Sequence, residues 1–246
     1  LGFSFQASYW ARGIPAIALA HGERSLPLLV AALATPSVQG AALVAAQGLG
    51  DVSLAPPMVS AFAGKRDKAL GRAWLLRHPR HAAAGILEML AKDGTSLEAM
   101  RALRFLETRG HRDSILELAR RLGREDEVRE LLDRDPLTAP KVKRPTVPEF
   151  VRATTLPALV PVDPGAGRAA SADAVETLLV TAAFSNADEV HPAVLAAKRT
   201  YTEASRAAFA WTVFEAWLAA GADPKHAWCM QMVGFLGDDA SARKLS

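Results

Sequence analysis

The sequence predicts an all-α chain whose helical hairpins stack one on the next as a solenoid, crossed by an ordered Pro-rich strap. Three observations carry this. Apolar runs come in helix-sized pieces. Leu28–Leu33, a second run ending at Leu49 and a third over Met58–Ala63 are separated by Thr35-Pro36-Ser37 and by Gly50-Asp51, which stop one helix and start another. Comparable apolar helices begin near Leu28, Met58, Ile86 and Ile115, a period of roughly 30 residues, as expected where each helix pair buries its face against its neighbours. Alternating runs of β-branched residues, the mark of strands, do not occur.

In chain order, Phe3 to Ala20 is apolar and interrupted at Gly13 and Pro15, which predicts two short helices. Up to Phe62 the charged residues are Arg12, Glu23, Arg24 and Asp51, so these helices lack a polar face. They are expected to be sandwiched deeply or covered by another part of a longer protein. Ser25 and Asp67 stand where N-caps belong, and Thr95-Ser96-Leu97-Glu98 matches a capping box. Gly50, Gly64, Gly94, Gly110 and Gly123 stand where helices should stop in the left-handed conformation.

After Asp135 the composition changes: prolines fall at 136, 140, 145, 148, 157, 161 and 164. Val147, Phe150, Val151, Leu156, Leu159 and Val160 are apolar enough to pack, which predicts an extended strap with a helical turn near Glu149, loosening from Asp163 to Ala170. Helices resume at Ser171. A charged loop from Asn186 to Pro192 precedes a short helix, then a long one from about Thr202 to Ala220. Gly221 stops it, and Asp223-Pro224 opens the next. The expected organisation is therefore helical repeats over 1–135, a strap over 136–170 and further helices over 171–246.

Bulk properties exclude several classes. With 246 residues, 50% hydrophobic and 22% charged, the chain can bury a large core and is not disordered. The net charge of +3 does not by itself argue for nucleic acid. A single cysteine, Cys229, forbids an intrachain disulfide and fits a reducing cytosol. The apolar runs are broken before the roughly 18 residues of a membrane span, and no signal peptide is evident. A start at Leu1 rather than Met suggests a piece of something longer.

Few residues point to chemistry. Lys65, Arg66, Lys68, Arg72, Arg77 and Arg80 against the single acid Asp67, with His78 and His81, form the densest basic cluster. Such a stripe can neutralise phosphates or be a solvated helix end with cations well placed against the helix dipole. Arg72, Arg77, Arg80 and His81 are the binding candidates. The histidines at 21, 78, 81, 111, 191 and 226 show no metal-ligand spacing, so neither a metal nor another cofactor is expected. Cys229, three residues from His226, reads as a buried, inert thiol rather than a nucleophile. Glu215 stands alone between Arg206 and Asp223 on an apolar helix; if buried it must be paired, and a structural salt bridge across a repeat boundary is expected, with a general acid or a partner-binding anion as the alternatives. Trp211, Trp217 and Trp228 read as core.

The blocks AFAWTVFEAWLAAGA, GFLGDDASAR, RAWLLRHPRHAAAGIL and LETRGHRDSILELARRLG resemble bacterial MolR-like proteins, large chains with HEAT-like helices and often an N-terminal WGR domain. The resemblance implies an interior helical segment of a cytoplasmic bacterial protein, and the family label suggests regulation of molybdate metabolism. No WGR signature occurs here, so a nucleic-acid role carried by that domain does not transfer. The expected function is a non-enzymatic HEAT-like scaffold that binds a protein partner or a neighbouring domain. The alternative is a nucleic-acid-binding helical repeat, including the DNA repair glycosylase type, which would bring an acid and aromatics to a basic channel.

Overall fold

The computed structural model describes residues 2–138, 143–152, 154–163 and 169–245, with side chains from residue 12 onward. About 75% of the chain is helical and no strand occurs among the described residues, so the all-α expectation holds. The chain divides into two compact units, Leu1–Leu132 and Asp133–Ser246.

Unit 1 runs through α1 (Gly2–His21), α2 (Leu26–Leu33), α3 (Gln39–Ala45), α4 (Ala55–Ala63), α5 (Lys68–Arg77), α6 (Pro79–Lys92), α7 (Leu97–Leu106), α8 (Arg112–Arg121) and α9 (Glu125–Asp133). Helices pack mainly on the neighbours one and two places along the chain, α2 on α3, α4 on α5, α6 on α7, and α1 on α3, α3 on α5, α4 on α6, α5 on α7, α6 on α8, while α4 also packs on α7, three places along. The core is apolar and fully closed around Met58, Trp74, Ile86 and Phe105. Burying each such side chain contributes about 1.5–3 kcal/mol. The Trp74 indole, sealed in this core, donates to the Leu49 carbonyl at 2.8 Å, so its polar atom is satisfied. Close approach needs glycine. A Cβ at Gly71 would lie 2.4 Å from the Phe62 backbone N, and one at Gly85 would lie 2.3 Å from the Ala55 Cβ. Those two positions let α5 and α6 seat directly on α4.

Several local expectations are corrected. Pro15 does not divide the first segment: α1 is one continuous helix. An interior proline costs about 3 kcal/mol, and burial of Ile14 and Ala18 on either side of it offsets that loss. Ser25 sits at the N-cap of α2, but its hydroxyl donates back to the Gly22 carbonyl instead of capping. Asp67 makes no side-chain cap either; it accepts from Arg66 Nε. The capping box slips by one residue, because Thr95 is drawn to Asp93 and Ser96 accepts from the Ala99 N–H. Of the five glycine stops, Gly110 and Gly123 are left-handed, while Gly64 ends α4 in an extended conformation. Gly110 lies in a π-turn, Glu107–His111, that joins α7 to α8, and the buried Glu107 carboxylate pairs with Arg112 across that kink.

The apolar runs near the N-terminus are also more continuous than expected. Arg12–Leu33 forms a helical stretch long and apolar enough to cross a membrane by length and composition, with a mean hydropathy of 1.3. Glu23 and Arg24 lie in its middle, in the 3-10 turn Gly22–Ser25 between α1 and α2, and 28% of it is buried within the fold.

Unit 2 is organised around α13 (Glu203–Ala219), which packs on α10 (Glu149–Arg152) and α14 (Trp228–Leu236); α11 (Ala172–Phe184), α12 (Pro192–Thr200) and α15 (Asp239–Leu245) complete it. Asp223 caps a 3-10 turn, Pro224–His226, and the helix proper starts at Trp228. The Pro-rich segment contributes Val147, Val151 and Leu159 to the core. It is pinned at its far end. The Val162 N–H donates to the Thr200 carbonyl and the Thr202 N–H to the Val160 carbonyl, both at 2.8 Å, and the Val160 N–H donates to the Ser205 hydroxyl. Of the stretch Asp163 to Ala170 expected to loosen, residues 164–168 lie outside the described residues, and the Ala170 N–H donates to the Leu159 carbonyl at 3.1 Å.

Candidate functional site

The α5–α6 junction gathers most of the basic candidates, then divides them. Pro79 starts α6 directly after α5, so His78 serves as the end of one helix and the cap position of the other. The His78 Nε2–H donates to the Gln47 carbonyl at 2.9 Å, and Arg77 reaches the same oxygen at 3.4 Å. His78 and His81 each bring Nδ1 to 2.8 Å from where a Gly50 Cβ would stand. Beside them Asp51 accepts from the hydroxyl and backbone N–H of Ser53. These bonds hold its carboxyl below the usual carboxylate range, and His81 adds a smaller electrostatic pull. Arg72 is half-buried, with its guanidinium 5.7 Å from the Phe105 ring, which Arg109 also approaches at 5.3 Å. Arg77, Arg72 and His81 therefore have structural neighbours.

Arg80 differs. It is exposed and turns towards α8, where a cleft of about 190 Å³ opens between the start of α6 and one side of α8. Pro79, Ala83, Ile115 and Leu118 give it an apolar lining; Arg80, Arg121, His111, Ser114 and Glu117 give it polar groups. His111, Ser114 and Arg121 were not singled out from the sequence, because they lie some 30 residues beyond the basic cluster. The contact of α6 with α8, two places along the chain, is what brings them together.

At the edge of the cleft and beyond it the basic charge is compensated. Arg120 donates to Glu117 and Glu125 at 2.7 Å, Arg121 to Glu117 at 3.1 Å, and Arg129 to Glu125. Arg124 pairs with Glu127 and also donates to the Leu87 carbonyl at 2.9 Å. The Arg120 hydrogen bond lowers the Glu125 pKa, and the Arg124 bond lowers that of Glu127.

Unit 2 overturns the Glu215 expectation. Glu215 is exposed on α13 and accepts from Trp211 Nε1 at 2.7 Å, one helical turn away; the Lys244 ammonium lies 4.7 Å from the same indole ring. The apolar neighbours of Glu215 in sequence point to other faces of the helix, which is why isolation along the chain did not mean burial. Trp217 and Trp228 are buried; Trp211 is half-exposed. Cys229 is fully buried and burial pushes its thiol up to about 12, which leaves almost no thiolate for chemistry. His226 stacks edge-on against Phe150.

His191, read in the sequence only as one of six histidines without metal-ligand spacing, has both ring nitrogens bonded. It is buried, its Nδ1 accepts from the Ala193 N–H to cap α12, and its Nε2–H donates to Asp135 at 2.7 Å. The signal was Pro192 in the first helical position, which makes the preceding residue the cap. A second, open cleft of about 520 Å³ lies between Arg144 to Val147, Arg152 and the Asp173 to Val180 face of α11; Arg144, Arg152, Asp173 and Glu176 supply its charged lining. Among the described residues no group of three or more His, Cys, Asp or Glu side chains is arranged to hold a metal ion.

No family model matches the chain. It is 28% identical over 192 residues to a protein of Escherichia coli (strain K12) carrying the name Uncharacterized protein YehI. That stretch is 75% of this chain but 15% of the relative, so the chain spans a small part of the protein it matches. No solved structure matches.

Proposed function

We propose that this chain is a HEAT-like helical-repeat scaffold, non-enzymatic, that binds a protein partner or a neighbouring domain within a longer cytoplasmic bacterial protein. The observation that carries the reading is the packing of unit 1, where helices touch chiefly those one and two places along the chain. That is the pattern of stacked hairpins, and stacked hairpins generate extended binding surfaces. The match to a short stretch of a much longer relative supports an interdomain role, and the quoted residue blocks support kinship with MolR-like regulators. Compensation of the α8 and α9 arginines by glutamates favours a protein partner over nucleic acid, which asks for a wider positive field.

Duplex DNA titrated at two salt concentrations against the wild type and Arg77→Glu/Arg80→Glu separates the two classes. Weak binding, no tighter than about 10⁻⁶ M and falling as salt rises, is expected. Salt-resistant nanomolar binding that the double substitution abolishes would overturn the scaffold reading. Cross-linking in the full-length protein should join the exposed Lys65, Lys68 or Lys92 to another domain or polypeptide; cross-links confined to unit 1 count against it.

A further inference from the structure

We propose that the cleft between α6 and α8 docks an acidic peptide segment bearing an apolar side chain. The inference rests on the scaffold reading and gives its partner a chemistry. The lining combines an apolar wall, where Pro79 and Leu118 stay half-buried over the closed core at Ile115 and Ala83, and a cationic rim of exposed Arg80 and of Arg121, which also bonds Glu117, with the His111 imidazole beside them. α6 enters at this point. It is 14 residues long and begins at Pro79, so the N–H groups of Arg80 and His81 precede the first helical hydrogen-bond donor and add partial positive charge. Glu117, the acid in the lining, is already engaged by Arg120 and Arg121. Arg80 has no hydrogen-bond or ion-pair partner among the described residues and stands exposed at the edge.

The size narrows the occupant. At about 190 Å³ the cleft is smaller than the roughly 300–1,000 Å³ of small-molecule sites. It holds one side chain, not a cofactor. A phosphate backbone would satisfy the arginines and leave the half-buried Pro79 and Leu118 uncovered. A peptide that places a leucine-sized group between carboxylates satisfies both, with charge complementarity setting orientation.

Fluorescence anisotropy on the whole chain tests this with three labelled peptides of equal length. One alternates glutamate with leucine, one replaces leucine by serine, and one replaces glutamate by lysine. The glutamate–leucine peptide should bind, the serine version more weakly, and the lysine version not at all. Arg80→Glu/Arg121→Glu should raise its Kd by at least about tenfold. Arg80→Ala should move it in the same direction, and circular dichroism should show both variants folded. Equal binding of the lysine peptide, or an unchanged Kd in a folded double variant, overturns the proposal. If the glutamate–leucine peptide does not bind while cross-links still reach a partner from unit 1, the cleft assignment falls and the scaffold reading stands. Salt-resistant DNA binding that displaces the peptide removes both.

Discussion

Unit 1 and unit 2 are both helical, yet they close by different means. In unit 1 cohesion is more local: α4 seats on α5 and α6 through glycine contacts, and polar ties such as Trp74–Leu49 and Arg124–Leu87 span 25 and 37 positions, short of the 45 and 56 that unit 2 reaches. Unit 2 is tied by polar pins between distant points. His191 bonds Asp135 across 56 positions, Ser205 bonds Val160 across 45, and the buried Arg206 donates to the Tyr201 and Leu236 carbonyls. A unit built from short-range contacts can change in one place without reorganising the rest. One held by specific long-range bonds is a single closed object, and its folding must wait for those contacts to meet.

The largest effect that would sharpen this contrast comes from Gly71→Val. Its side chain meets the Phe62 backbone, which cannot yield cheaply, so a loss of about 3 kcal/mol is expected. Hydrogen exchange should rise across α4 to α7 and stay unchanged in unit 2; loosening of both units together would break the comparison. Arg206→Ala should act in the opposite place. It leaves two carbonyls without their donor and should cost about 2 kcal/mol, read as faster exchange at both the start of α13 and the end of α14. His191→Ala removes a helix cap and the bond to Asp135, for about 1 kcal/mol. Unchanged exchange in α12 would mean the histidine is not a pin.

Acid should touch unit 1 through a milder route. Glu125 and Glu127 ionise below the usual carboxylate range because arginines bond them. Their stabilisation is therefore complete above that range and is lost as pH falls through the lowered values. Amide shifts of α8 and α9 in an NMR titration should move with midpoints below those of free glutamate. The smallest effect belongs to Glu215→Ala. An exposed carboxylate bonded to one indole should change stability by no more than about 0.5 kcal/mol; a loss several times larger would return Glu215 to the core.

What could be read in the sequence follows the same divide. The helix-sized apolar runs near Leu28, Met58, Ile86 and Ile115 became α2, α4, α6 and α8, because local contacts leave a local pattern. The cleft lining was only half legible. Arg80 stood out in a basic run, whereas His111 and Arg121 join it through a helix two places along. Glu215 misled because a helix distributes neighbours in sequence over all its faces; the indole that bonds it is four residues back. Pro15 misled because propensity was weighed without the packing around Ile14 and Ala18. The Arg206 pin carried almost no signal, since an acceptor carbonyl is the same at every residue; at His191 Pro192 marked the cap, but nothing marked the bond to Asp135, 56 positions away.

Cys229 gives unit 2 a built-in clock. The chain has one thiol, it is fully buried among the α13 and α14 core residues, and burial raises its pKa to about 12. An alkylating reagent in neutral buffer therefore finds no thiolate until unit 2 opens. The modification rate of the unaltered protein then counts openings of that unit alone, against a background in which unit 1 has no cysteine to react.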